Sequence, residues 1–192
     1  MDDKAAWDAA YAKGTWDQLT ATLEVAHYAT IAGYLHYFLH ASDAVLDLGC
    51  GEGLLVEYMA PSFYQRYTGI DISDVALAKA RARHATRATL DFRCSPIERY
   101  SVPPDLKYGA IVFNEVLYYL HDPIGTVTRL SASLGPSGLV IVSMWGGTTG
   151  HVHESAIRLW GDLYAIGWPL VDETKLIHTL SGNCWKVAVF RP

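Results

Sequence analysis

The run Asp47-Leu48-Gly49-Cys50-Gly51-Glu52-Gly53 places glycine at every second position directly behind the apolar residues Val45 and Leu46. Glycine carries no Cβ, so such a loop turns sharply and lets a ligand lie against bare backbone. Spacing narrows the ligands that fit. A pyrophosphate site needs G-x-G-x-x-G, but Leu54 stands where the third glycine belongs and Gly53 comes one residue early. Asp47, in front of the loop, suits a ligand with an ammonium group better than one with phosphates. A second acid, Asp71, closes the run Tyr67-Thr68-Gly69-Ile70 about 20 residues after the loop, where a carboxylate can accept hydrogen bonds from both hydroxyls of a ribose. Ser73 can cap the following helix by itself. The two acids and the loop therefore point to a nucleoside carrying an ammonium group.

These residues need a sheet to hold them. Apolar runs of strand length alternate with longer helix-like stretches, which is the signature of a parallel sheet covered by helices. The predicted strands are Ala44–Leu48, Tyr67–Ile70, Thr89–Arg93, Tyr108–Phe113, Leu139–Met144, Leu170–Leu180 and Cys184–Phe190. The last two flank Ser181-Gly182-Asn183 and should pair as an antiparallel hairpin. Helices are expected over Gln18–His40, Leu54–Met59, Val75–His84 and Gly125–Leu134, with Asp122-Pro123 as N-cap and first helical residue of the last. In an open parallel sheet, ligands sit beyond the carboxyl ends of the strands, where the glycine loop and Asp71 both lie.

The whole chain bounds the function. Its 192 residues, 51% of them hydrophobic, suit one domain with a substantial core. A net charge of −5 gives no footprint for a phosphate backbone, so no nucleic-acid partner is expected. No apolar run approaches the roughly 20 residues that cross a bilayer, and the start MDDKAAWD lacks the layout of a signal peptide, so a cytoplasmic protein with no membrane partner is expected. The three cysteines, Cys50, Cys94 and Cys184, lie far apart and predict reduced thiols. No metal is expected: His36 and His40 would share a helix face without a third ligand, and His151-Val152-His153-Glu154 has no complete ligand set.

In chain order, VLDLGCGEG from Val45, GIDIS from Gly69 and YGAIVFNEVLYYL from Tyr108 resemble the motifs of class I S-adenosylmethionine-dependent methyltransferases. The likeness runs over nearly the whole chain and is greatest to small stand-alone members of the type 11/12 kind. Those open on W-x-x-x-Y-x-x-G-x-W, matched by Trp7, Tyr11, Gly14 and Trp16, and finish on W-x-V, matched by Trp185 and Val187. The resemblance implies a Rossmann-like α/β fold: a seven-stranded, mostly parallel sheet with helices on both faces and a C-terminal antiparallel hairpin. It implies one domain over 1–192, with a helical cap at 1–43 and the core at 44–192. The implied cofactor is S-adenosyl-L-methionine, leaving as S-adenosyl-L-homocysteine. Carried over by residue, Gly49, Cys50 and Gly51 would line its methionine moiety, Asp71 would hold the ribose and Ile72 would lie against adenine. Ser95, Pro96 and Ile97 would edge the adenine, Asn114 and Glu115 would close the site under the ammonium and sulfonium, and Tyr11 and Trp16 would fold over the cofactor. Two positions depart from the family pattern. Pro96 stands where an acid often meets the adenine amino group, and Tyr108-Gly109 replaces Phe-Asp at the start of the fourth strand.

Methyl transfer needs an aligned nucleophile, a dry pocket and, for a protonated acceptor, a base. The candidate base is His121, after Tyr118-Tyr119-Leu120 at the end of the fourth strand. Tyr118, Tyr119, Trp145 and His151 are candidate acceptor contacts, the last two flanking Gly146-Gly147-Thr148-Thr149-Gly150. Short substrate-side segments favour a small-molecule acceptor (a metabolite, amine or sugar) methylated on oxygen or nitrogen by a monomer or homodimer. The alternative is a protein that binds S-adenosylmethionine without catalysis, or for a non-methylating reaction. A nicotinamide-dependent oxidoreductase is disfavoured by the glycine spacing.

Overall fold

A computed structural model describes residues 3–148 and 151–192, with the backbone alone at 151 and 152. One eight-stranded sheet dominates it. The strands are β1 (Ala44–Leu48), β2 (Arg66–Asp71), β3 (Leu90–Cys94), β4 (Tyr108–Asn114), β5 (Leu134–Thr148), β6 (His151–Val152), β7 (Leu170–Ile177) and β8 (Cys184–Phe190). Their order is β3-β2-β1-β4-β5-β8-β7, with the two-residue β6 paired to β5. β1 to β5 pair in parallel, whereas β8 runs antiparallel to both β5 and β7.

Helices cover both faces, and this is why the central strands are apolar on both sides. On one face Val45, Ala110, Val112 and Ile141 pack under α2 (Val25–Phe38) and α3 (Asp74–Arg83). On the other, Leu46, Leu48, Ile111, Phe113 and Val142 meet α4 (Pro123–Ser131) and α5 (Glu154–Ala165). Numbering the helices in chain order, α1 is Lys4–Ala12. Ser73 caps α3 by accepting from the Ala76 N–H, and Asp122 caps α4 by accepting from the Gly125 N–H, with Pro123 in the first turn.

Several expected boundaries move. The helix expected from Gln18 begins at Val25, because Ala21 is extended (φ −71°, ψ 154°) and separates two short 3-10 turns at Asp17–Thr20 and Thr22–Glu24. Leu54–Tyr58 is a 3-10 helix. β5 starts at Leu134, ahead of the expected Leu139, and carries a bulge beside Gly109. β7 ends at Ile177, and the turn to β8 closes through His178, whose N–H donates to the Asn183 carbonyl. Gly109 has a packing cause: a Cβ there would stand 2.7 Å from the Asp43 Cβ.

Candidate functional site

The glycine loop leaves β1 as the first half of a cradle. The Gly49 and Cys50 N–H groups both donate to the Ile70 carbonyl, at 2.8 and 3.0 Å, which ties the loop to the end of β2. Gly49 and Gly51 have φ of +74° and +52°, a region that favours glycine. A Cβ on Gly49 would lie 2.5 Å from Val116, and one on Gly51 2.8 Å from the Tyr11 hydroxyl, so neither position has room for a side chain.

Asp71, at the end of β2, accepts from the Gly51 N–H at 2.8 Å and the Ser73 N–H at 2.9 Å. Burial pushes its carboxyl up from the ordinary range, and these backbone donors oppose the rise. A carboxylate offers about four acceptor sites, so capacity remains for a ligand's hydroxyls. Asp47 is 2% exposed; Oδ2 accepts from the Tyr67 hydroxyl, while Oδ1 has no partner among the described residues. Burial pushes Asp47 up to about 7, partly opposed by the Tyr67 hydrogen bond. The Asn114 Oδ1 and Trp16 Nε1 atoms are likewise buried without partners.

A cavity of about 540 Å³ opens between this cradle and the N-terminal segment. α1 is pinned above it: Asp8 accepts from the Ser73 hydroxyl at 2.7 Å, and the Lys79 ammonium donates to the Tyr11 carbonyl at 3.1 Å. The Trp7 and Trp16 rings stack at 5.8 Å, and Trp7 meets the Tyr119 ring edge-on at 5.1 Å, so aromatic rings bridge the cavity from α1 to the end of β4.

The far end is organised by Glu115. It sits at φ +55° and is half-buried, accepting from the Tyr118 hydroxyl (2.6 Å), the Trp145 N–H (2.8 Å) and the Ser143 hydroxyl (3.0 Å). Burial raises its carboxyl and the three donors oppose the rise. Around it, His153 faces the Tyr118 and Trp145 rings at 5.1 and 5.6 Å, and the Trp145 indole N–H donates to the Asn183 side-chain oxygen at 3.0 Å.

The cavity wall gathers most of the expected residues: Tyr11, Trp16, Asp47, Gly49, Cys50, Gly51, Asp71, Ile72, Pro96, Ile97, Asn114, Glu115, Tyr118, Tyr119 and Trp145. Ser95 is not on the wall; its N–H donates to the Asp71 carbonyl and so supports the strand end. His121, the expected base, is also off the wall. The chain turns after Leu120, leaving the His121 side chain 65% exposed with Nδ1 3.2 Å from Glu98, which also accepts from the His121 and Asp122 N–H groups. The His151 side chain lies outside the described residues, as do Thr149 and Gly150. The wall also includes Glu24, Tyr28, His153, Asn183 and Trp185, which sequence spacing did not single out for the site. Among the described residues no group of three or more metal-ligating side chains forms, and no helix is long and apolar enough to cross a membrane.

The chain is similar to known proteins in sequence and in fold. The chain is 31% identical over 146 residues to a malonyl-[acyl-carrier protein] O-methyltransferase of Halalkalibacterium halodurans, covering 74% of this chain and 52% of that protein. It is 35% identical over 114 residues to a ubiquinone biosynthesis O-methyltransferase of Nitrosospira multiformis, covering 58% and 47%. The chain thus spans about half the length of these curated relatives. In fold it is similar to the N-methyltransferase NodS from Bradyrhizobium japonicum WM9 in complex with S-adenosyl-L-homocysteine, with a TM-score of 0.76 at 22% identity over 100% of this chain and 98% of that one. The architecture is the Rossmann-like fold of class I methyltransferases. A family model described as a methyltransferase domain matches residues 25–185, and the chain belongs to that family.

Proposed function

We propose that this protein binds S-adenosyl-L-methionine across the ends of β1, β2 and β4 and transfers its methyl group to an oxygen or nitrogen of a small-molecule acceptor. The observation that carries the reading is the unpartnered Asp47 Oδ1 beside a loop whose glycines admit no side chain, facing Asp71 across one cavity. A buried acceptor atom with no donor is costly unless a ligand supplies one, and the ammonium of the methionine moiety would do so. Asp71 would hold the ribose, with Ile72, Pro96 and Ile97 around the adenine and the backbone of Gly49, Cys50 and Gly51 along the methionine. When bound, the cofactor supplies an electrophilic methyl group on a sulfonium.

The chain's own residues do the rest. Tyr11, Trp16 and Trp7 cover the cavity and exclude water, while Glu115 fixes Tyr118 and the Trp145 backbone, hence the walls against which an acceptor lies. Holding two reactants aligned supplies much of the acceleration in such a transfer. The O-methyltransferase relatives support the reaction type, and the modest cavity supports a small acceptor. Gly109, one of the two departures from the family pattern, has a packing cause and is not on the cavity wall.

Calorimetric titration with S-adenosylmethionine tests the binding. Incubation with methyl-labelled S-adenosylmethionine and a metabolite extract, followed by mass spectrometry, tests the transfer: one small molecule should gain the label as S-adenosylhomocysteine accumulates. Tight binding with no labelled product would leave the non-methylating alternative in its place.

A further inference from the structure

We infer that the acceptor is an amine, bound as its ammonium ion by Glu24, which then takes the proton that frees the nitrogen for methylation. This rests on the proposed binding of S-adenosylmethionine and adds the acceptor class. The cavity wall carries six carboxylates, Glu24, Asp47, Glu52, Asp71, Glu98 and Glu115, and among the described residues no lysine or arginine. A carboxylate or phosphorylated acceptor would enter against that field. Five of the six are already engaged. Glu52 pairs with Lys79 and Arg83, Glu98 takes two backbone N–H groups, and Asp47, Asp71 and Glu115 have the donors described above.

Glu24 differs from all of these. It is 8% exposed, faces the cavity, and among the described residues accepts no hydrogen bond. His27, fully buried behind it, brings Nδ1 to 3.3 Å of Oε2 without forming a hydrogen bond, and burial lowers that imidazole to about 4, so it is neutral. The other titratable groups that sense Glu24 are Glu115, Tyr118 and Tyr28, and none is a cation. Glu24 feels the charge of Glu115 at the end of β4, which sets it at the far end, away from the Asp71 corner.

Aromatic rings line the same end: Tyr28, Tyr118, Trp145 and Trp185. Ring faces attract cations and accept the apolar body that carries them. A buried carboxyl raised to about 7 suits the second task, since a base works best near the ambient pH. The bookkeeping of atoms is simple: R–NH3⁺ and the Glu24 carboxylate become R–NH2 and the Glu24 carboxylic acid. The electron pair of the broken N–H bond remains on nitrogen as the lone pair that receives the methyl group.

The test uses benzylamine, benzyl alcohol and benzoate, three probes that share one body and differ in the head group. Each is titrated into the full chain saturated with S-adenosylhomocysteine, with tryptophan fluorescence as the readout. Benzylamine should bind at least about tenfold tighter than the other two, as expected for a charge-assisted contact, and more tightly at pH 8 than at pH 6. Glu24→Gln should abolish both the preference and the pH dependence while binding S-adenosylhomocysteine within about twofold of the parent, and Glu24→Asp should restore part of the preference. Equal binding of the alcohol or benzoate, no binding of benzylamine, or an undiminished preference in Glu24→Gln overturns the inference. So does a loss of S-adenosylhomocysteine binding in Glu24→Gln, which would put Glu24 on the cofactor. Failure of the unmodified protein to bind S-adenosylhomocysteine refutes instead the function on which the inference rests.

Discussion

Replacing Glu24 by glutamine should make the protein more stable at alkaline pH, although it removes a charged group from a functional cavity. Burial first, and the neighbouring Glu115 charge second, raise the Glu24 carboxyl from 4.5 to about 7. The folded chain therefore holds a proton between those values that the unfolded chain has released. Where the folded state binds more protons, stability falls as pH rises. The contribution is complete below 4.5 and is lost as pH climbs through about 7. At about 1.4 kcal/mol for each tenfold change in proton affinity, the full loss is about 3 kcal/mol. Glutamine does not titrate, so it escapes that loss, and the other raised acids, Asp47, Asp71 and Glu115, remain in both proteins and largely cancel. Urea unfolding of the two proteins should show the difference in free energy moving in favour of glutamine by about 2–3 kcal/mol between pH 5 and pH 8. A difference that stays constant within about 0.5 kcal/mol over that range would mean that Glu24 is well solvated, and would remove the buried, unpartnered carboxylate from the reasoning.

Asp71→Ala deletes the acceptor of the Gly51 and Ser73 N–H groups as well as the ribose contact, so calorimetry should find S-adenosylhomocysteine binding weakened by at least about 100-fold; a loss of under tenfold would end the ribose role. Gly51→Ala puts a side chain at φ +52° and 2.8 Å from the Tyr11 hydroxyl. It should cost about 1–3 kcal/mol in urea unfolding and weaken cofactor binding as Tyr11 is pushed off the loop, whereas an unchanged affinity would show that Tyr11 does not cover the cofactor. Glu115→Ala strands the Tyr118 hydroxyl, the Ser143 hydroxyl and the Trp145 N–H, at a cost of about 3 kcal/mol or more. Glu115→Gln keeps an acceptor for them and should lose less; equal losses would show that volume, and not hydrogen bonding, sets the role of Glu115.

The residues proposed for the cofactor were legible because they are local. Glycine spacing, a strand-ending acid and Asp122-Pro123 each act within a few residues of where they stand, and each takes the place that its chemistry requires. The end proposed for the acceptor is assembled by sheet order. Glu24 comes from the cap of α2 and Tyr28 from its first turn, His153 from the cap of α5 and Trp185 from β8, and no short pattern joins them. One signal went unused: Ala156, Leu159, Trp160 and Leu163 follow the i, i+3, i+4, i+7 rhythm of an amphipathic helix and mark α5. His121 lies next to Tyr118 and Tyr119 in sequence but not on the cavity wall, because one turn of chain later its side chain is 65% exposed beside Glu98. The helix expected from Gln18 starts only at Val25 because Ala21, extended between two 3-10 turns, is a local backbone choice with no strong residue signal.

β8 lies between β5 and β7 in space, although it follows both in the chain. During synthesis β5 therefore keeps an open hydrogen-bonding edge, and β7 has no strand to join, until residues 184–190 arrive and pair with both at once. Trp185 belongs to that strand and lines the cavity. Closure of the sheet and completion of the cavity wall thus wait on the same strand, and a nascent chain that already has the glycine loop and Asp71 still lacks the Trp185 side of the site proposed for the acceptor.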